Sequence, residues 1–348
     1  MSLPPHPANW LKVLPQGLYC EPGGFFIDPL RAVDRAVITH AHSDHARPGH
    51  RHVLASHETL MLMRARLGAG RAGATQQALG WGEALCINEV EVTLHPAGHV
   101  LGSAQVAMTY RGSSAVVSGD YKRQPDPTCR GFEPVACEVF VTEATFALPV
   151  FRHPPADQEI ARLLASVVLF PERAHVVGCY ALGKCQRLIA LLRAAGWDRP
   201  IFLHRALAPM CAAYAALGQR LGALAAVEEA GARALAGAIV LAPPGTVAEE
   251  WGRLLKAPVL AMASGWMRLR QRARASGVEL PLVISDHADW DELNATIDEV
   301  GAEEVWVTHG QEAALIHAMG QRGIRGRALR DVRPIAAATA GGACTVCP

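Results

Sequence analysis

The sequence predicts a layered α/β protein, and three observations carry that reading. Short apolar, β-favouring runs separated by turns fill the first 145 or so residues. From Ala156 to about Ser276, alanine- and leucine-rich helical stretches alternate with single strands, the pattern of a parallel sheet covered by helices. Several apolar runs also stop at a potential ligand or acid, and layered α/β proteins collect their binding sites where strands end.

In chain order, the runs at 24–28, 36–39, 90–94, 115–118 and 139–143 read as strands. Four of them end at or just before Asp28, His40, Asp120 and Glu143. Helices are expected over 160–169, 186–195 and 209–217, with strands at 175–178 and 238–241 between them. Strand character returns at 281–285 and 304–308, which run into Asp286-His287 and His309. From about Ala336 the alanine-, glycine- and threonine-rich end reads as a loose tail.

Half of the 348 residues are hydrophobic, enough for one large core or two moderate ones. No apolar run is long enough to span a bilayer, and Met1-Ser2-Leu3-Pro4-Pro5-His6 lacks the regions of a signal peptide, so a cytoplasmic protein is expected. Nine scattered cysteines fit reduced thiols better than a disulfide framework, and Cys344 and Cys347 read as two tail thiols. A formal charge of +1 offers no global basic field. The arginine runs Arg268, Arg270, Arg272, Arg274 and Arg322, Arg325, Arg327, Arg330, Arg333 read as solvated faces.

The segment His40-Ala41-His42-Ser43-Asp44-His45 concentrates three imidazoles and a carboxylate. Side chains two apart on an extended segment point the same way, so His40 and His42 can grip one ion. Asp44 and His45 lie past the bend and can reach a second ion beside it. Such nitrogen and oxygen donors suit zinc, manganese or iron. His99 follows Gly98 after a strand and can approach a metal closely, while Asp120 after Gly119 reads equally well as a turn.

Taken in order, Asp28, the HxHxDH segment at 40–45, His99 and Gly119-Asp120 resemble the metallo-β-lactamase superfamily. The resemblance implies a four-layer αβ/βα sandwich with two divalent ions, zinc and/or manganese. It implies one ion held by His40, His42 and His99, a second by Asp44, His45 and His309, and Asp120 as the bridge. Asp28 would orient a ligand without touching metal. The 189 residues between Asp120 and His309 (309 − 120) resemble the inserted three-layer α/β domain of the β-CASP nucleases. Glu143, His287 and His309 resemble that group's acidic motif A and motifs B and C. The implied layout is a sandwich at 1–145 and 277–335, an insertion at 146–276 and a tail at 336–348.

The segments 18–24, 118–129, 263–267 and 285–290 resemble bacterial ligase-associated DNA exonucleases. That implies cleavage of single-stranded or frayed DNA ends and a functional link to an ATP-dependent DNA ligase and a helicase, with no membrane. Catalytic roles fall to Asp44, Asp120, Glu143 and His287, with His287 as the general acid oriented by Glu143. The histidine at motif C favours the RNA-processing alternative. A small-molecule ester or thioester hydrolase is the reading the long insertion opposes. Lys184, where a helix begins after Gly183, and Ser264-Gly265 are expected to contact a phosphate. Tyr180 and Trp266 are candidate platforms for stacked bases, with core packing the favoured reading of each, and the Arg268–Arg274 run is a candidate to bind backbone beyond the site.

Overall fold

The computed structural model describes residues 4–246, 255, 257–275 and 277–334, so the expected tail and its two thiols lie outside the described residues. Six strands form a first sheet in chain order: Leu11–Leu14, Gly17–Cys20, Phe25–Ile27, Arg35–Val37, His52–Ala55 and Thr75–Ala78. A second, seven-stranded sheet runs Arg325–Ala328, Glu304–Gly310, Val139–Ala144, Ser113–Val117, Ala104–Tyr110, Val90–Pro96, Leu85–Ile87. Glu304–Gly310 lies parallel to Val139–Ala144, so the chain leaves this sheet for about 160 residues and returns to the neighbouring slot.

The period-two pattern of these strands builds the layers. Leu18, Phe25, Val37, Leu54, Val92, Val106, Val139 and Val141 meet in one core between the two sheets. Their alternates face outward. Val116, Phe140, Val305 and Val307 pack under the helices Trp290–Val300 and Glu312–Gln321. Ala36, Ile38 and Val53 pack under the helix His57–Leu67. The order is therefore helix, sheet, sheet, helix.

The helix His57–Leu67 falls inside a stretch expected to be strands and turns alone. Its start is marked by Ser56, whose hydroxyl accepts the Thr59 N–H at 3.1 Å.

The third sheet is wholly parallel: Leu224–Ala226, Ile201–Leu203, Ile239–Ala242, His175–Gly178, Val259–Ala263, Leu280–Leu282. Ala156–Leu169, Lys184–Ala194 and Ala208–Ala216 contribute to the core on one of its faces. Leu280–Leu282 pairs with Val259–Ala263, so this sheet runs past residue 276, and the strand expected to reopen the sandwich closes the inserted unit instead. The same apolar core continues from this face through Leu182 and Tyr214 to Val100, Leu101, Leu60 and Met63. The insertion is thus packed onto the sandwich rather than hung from it.

Candidate metal centre

The ends of the sandwich strands converge at one mouth. His40 follows Arg35–Val37, His99 follows Val90–Pro96, Asp120 follows Ser113–Val117, and Glu143 and His309 sit at the ends of their own strands. Gly119 makes the approach possible. Its φ is +58°, and a Cβ there would lie 2.8 Å from the Thr39 side chain, so only glycine lets the Asp120 turn close on the His40 loop.

Each imidazole of the cage has one ring nitrogen committed to an acceptor. His40 Nδ1 donates to Thr39 Oγ1 at 3.0 Å, while that hydroxyl donates to Asp28 Oδ2 at 2.5 Å. His45 Nδ1 donates to Asp28 Oδ2 at 2.7 Å. His42 Nε2 donates to the Leu182 carbonyl at 3.1 Å, and His99 Nδ1 to the Asp286 carbonyl at 2.6 Å. These partners assign the tautomers.

What remains are bare lone pairs aimed at one another. His40 Nε2 lies 3.1 Å and His99 Nε2 3.0 Å from His42 Nδ1. Asp120 Oδ2 stands 3.5, 3.4 and 3.8 Å from the Nε2 atoms of His40, His45 and His99. Lone pairs at that spacing repel unless a cation sits among them, and the donor set suits zinc or manganese. Burial, then the neighbouring imidazoles, push His40 and His99 well below the ordinary imidazole value, and burial lowers His42 too. All three are neutral, the form that binds metal. Burial opposes charge on His45 and Asp120, but their mutual attraction prevails, raising His45 and holding Asp120 well below the carboxylate range.

Three groups of donors share Asp120 among the described residues: His40, His42 and His99; His45 and His309; and Glu143 with His287. His309 is exposed at the rim with a φ of +51°, a left-handed conformation that only surrounding structure sustains in a non-glycine residue. Asp44 lies apart from all three groups. Its carboxylate is 69% exposed, with Oδ2 3.8 Å from His45 Nε2. Asp28 binds Thr39 N–H at 2.8 Å as well as the His45 ring, and so fixes the loop as well as the ligand.

Beside the cage, His287 Nδ1 lies 3.0 and 2.9 Å from the two Glu143 carboxylate oxygens, and Glu143 Oε1 also accepts the Tyr121 N–H at 2.8 Å. Burial works against charge on His287, yet Glu143 and then Asp120 raise its pKa to about 9. The imidazolium is the resting form at neutral pH, and the ring lines the cavity. That cavity, of about 690 Å³, is lined by His42, Asp44, His45, His99, Asp120, His287 and His309 together with residues of the inserted unit.

Lys184 lines the cavity as well, with its ammonium already committed to protein groups. Its side chain is 3% exposed, and Nζ donates to the Ile284 carbonyl at 2.7 Å and pairs with Asp286 at 3.0 Å. It belongs to a buried network in which Lys122 pairs with Asp126 at 2.6 Å, and Arg187 reaches Asp126 at 3.6 Å and Asp286 at 3.3 Å. Burial lowers the Lys184 pKa to about 8. Lys122 also donates to the His99 carbonyl at 3.2 Å, so the network braces the metal loop from behind.

Ser264 and Gly265 do line the cavity; Ser264 Oγ accepts the Trp266 N–H at 3.3 Å. Trp266 packs against Phe146 and Phe151 at ring separations of 4.9 and 5.2 Å. Tyr180, expected in the core, is instead 61% exposed and lines the cavity. Arg66, which sequence reasoning passed over, lines it as well. Ser56, as the cap of its helix, was the signal that could have brought Arg66 to attention. The second arginine run is, as read, a set of surface pairs, with Arg322 on Asp298 at 2.9 Å and Arg325 on Glu303 at 3.4 Å.

No family model matches the chain. It is 29% identical over 330 residues to a protein of Opitutus terrae described as a probable DNA ligase, covering 92% of this chain and 31% of that one. Over 114 residues it is 32% identical to the endoribonuclease ysh1 of Emericella nidulans, 30% of this chain and 12% of that one. Over 109 residues it is 34% identical to cleavage and polyadenylation specificity factor subunit 3 of Dictyostelium discoideum, 30% of this chain and 14% of that one. The chain thus spans under a third of the first relative's length and far less of the others. A solved protein of unknown function from Enterococcus faecalis shares the fold, with a TM-score of 0.58 at 13% identity over 85% of this chain and 79% of that one. The sheet–sheet sandwich, the ordered strand-end motifs and these relatives fit the resemblance to the metallo-β-lactamase superfamily and its β-CASP branch.

Proposed function

We propose that this chain is a two-metal phosphodiester hydrolase acting on nucleic acid, most simply a DNA exonuclease working on single-stranded or frayed ends in repair. The observation that carries the reading is the set of facing lone pairs on His40, His42 and His99 beside Asp120, opening into a cavity that also holds a protonated His287. In this reading His40, His42 and His99 hold one zinc or manganese ion, His45 and His309 a second, and Asp120 joins them. Asp44, exposed beside His45, would be a further oxygen donor for the second ion only with its carboxylate turned inward. When bound, such a pair of ions activates water near neutral pH and neutralises charge on the phosphate.

The chain's own groups do the rest. Glu143 holds His287 Nδ1 and keeps the ring charged, so its other nitrogen can give a proton to the departing oxygen. Asp28 and the carbonyls of Leu182 and Asp286 keep three ligand rings in the orientation that leaves their lone pairs inward. The packed inserted unit walls the cavity and excludes bulk water from one side.

The relative named as a probable DNA ligase supports DNA as the substrate and a functional tie to a ligase. Relatives named as endoribonucleases support RNA as the second reading. Purified protein with manganese or zinc, given matched labelled DNA and RNA strands with free or blocked ends, decides between them. A ladder from one DNA end is the expected result, and cleavage of RNA alone would overturn the DNA assignment. Asp120→Asn should lose both activity and bound metal; full activity in that variant would overturn the two-metal site.

A further inference from the structure

We propose that Tyr180 and Arg66 form a nucleotide subsite beside the metal centre, Tyr180 seating a base on its ring and Arg66 holding a backbone phosphate. This rests on the nucleic-acid reading above and deepens it, by assigning the grip on an unpaired strand to two walls of one cavity.

Tyr180 stands on a rigid turn. Its carbonyl accepts the Cys185 N–H at 3.0 Å, and the Leu182 carbonyl accepts from the metal-ligand candidate His42 at 3.1 Å. Gly183 closes the turn with a φ of +88°, where a Cβ would come within 2.3 Å of Val100 Cγ1. The turn is therefore pressed against the His99 loop and cannot drift from the cage. Yet the Tyr180 ring is 61% exposed, and among the described residues no ring or charged group pairs with it. Trp266, on another part of the wall, already lies under the Arg272 guanidinium at 4.1 Å and against Phe146. Tyr180 is the aromatic face left open. A flat ring held rigidly at low entropic cost is what an unstacked base requires, and every base has such a face.

Arg66 approaches from the sandwich side, in the last turn of His57–Leu67. Its Nη2 donates to the carbonyl of Ala46, just past the HxHxDH segment, which fixes the guanidinium beside the metal loop. Its Nε is buried with no hydrogen-bond partner. A half-buried cation lining the cavity, anchored through one nitrogen, matches a phosphate diester in charge. Lys184, the residue whose sequence position suggested that role, is spent inside the protein.

The test uses the full chain with Mn²⁺ and short, fluorescently labelled, phosphorothioate single strands, one bearing bases and one abasic, with anisotropy read at several salt concentrations. Tyr180→Ala should weaken the base-bearing strand about tenfold and leave the abasic strand unchanged, while Tyr180→Phe keeps full affinity. Arg66→Gln should weaken both strands alike and lower the slope of log affinity against log salt by about 0.7, whereas Arg66→Lys keeps the slope. Melting temperature and metal content are followed in each variant, so that loss of fold is not mistaken for loss of contact. Equal losses on both strands for Tyr180→Ala, or no loss at all, overturn the stacking role, and an unchanged slope in Arg66→Gln overturns the phosphate role. If wild-type protein cleaves strands while both variants bind normally, the subsite fails and the nuclease reading stands; if wild-type protein binds no strand, both fail.

Discussion

Two buried polar clusters lie back to back in this molecule, and they are built on opposite rules. In the cage of His40, His42, His99 and Asp120, lone pairs face lone pairs and the outer nitrogens are tied to fixed acceptors. In the network of Lys122, Asp126, Lys184, Arg187 and Asp286, each charge meets its opposite. The first is incomplete without something from outside; the second is nearly complete in itself. Burial and charge alone do not mark a binding site. The sign of the facing atoms does.

Substitutions can break the comparison at several strengths. The largest effect is expected at the proton donor: His287→Ala should lower turnover about 10²–10⁴-fold with metal content unchanged. Its pH profile carries a sign. The folded-state pKa of about 9 lies above the ordinary 6.5, so the acid is present through neutrality and is lost as pH rises through about 9. Glu143→Gln removes the main charge that raises it, and the alkaline limb should move down toward 6.5, read from kcat against pH.

Next comes the network. Asp286→Asn leaves Lys184 and Arg187 without their shared anion and should cost about 3–5 kcal/mol in denaturant melts. Arg187→Met leaves the Lys122–Asp126 and Lys184–Asp286 pairs standing, and its loss should be clearly smaller. Equal losses would mean that charge balance is not what holds this cluster.

The cage should instead respond to metal. Zinc at a hundred times its Kd should stabilise chelator-treated protein by about 2.7 kcal/mol in thermal melts, with no such gain in His40→Ala. The smallest effect is expected behind the ligands. Asp28→Asn weakens the acceptor for His45 and for Thr39, and metal affinity by competition with a chelator should fall about 10–100-fold.

Much of this was legible without coordinates, for a physical reason. Strand periodicity and the residues at strand ends are local facts, so the runs leading to His40, His99, Asp120, Glu143 and His309 announced both the layers and the donors. The helix His57–Leu67 was missed because its apolar positions do not fall into one clean stripe and its cap is a single serine. The strand at 280–282 was assigned to the wrong sheet because an apolar run carries no label for the neighbour it will pair with. Lys184 and Tyr180 exchanged roles for the same kind of reason. A lysine at a helix start and a tyrosine before it look alike in sequence whether they face solvent or a buried carboxylate.

The sequence by itself determined the donor types, their order and the layered architecture, since residue chemistry and alternation are properties of the chain alone. Tertiary structure decided which nitrogen of each imidazole faces inward, which cation is already paired and which ring stays open. Those depend on partners such as Leu182, Asp286 and Val100, which lie 140, 187 and 83 residues from His42, His99 and Gly183 (182 − 42, 286 − 99, 183 − 100) and meet them only when the inserted unit packs against the sandwich.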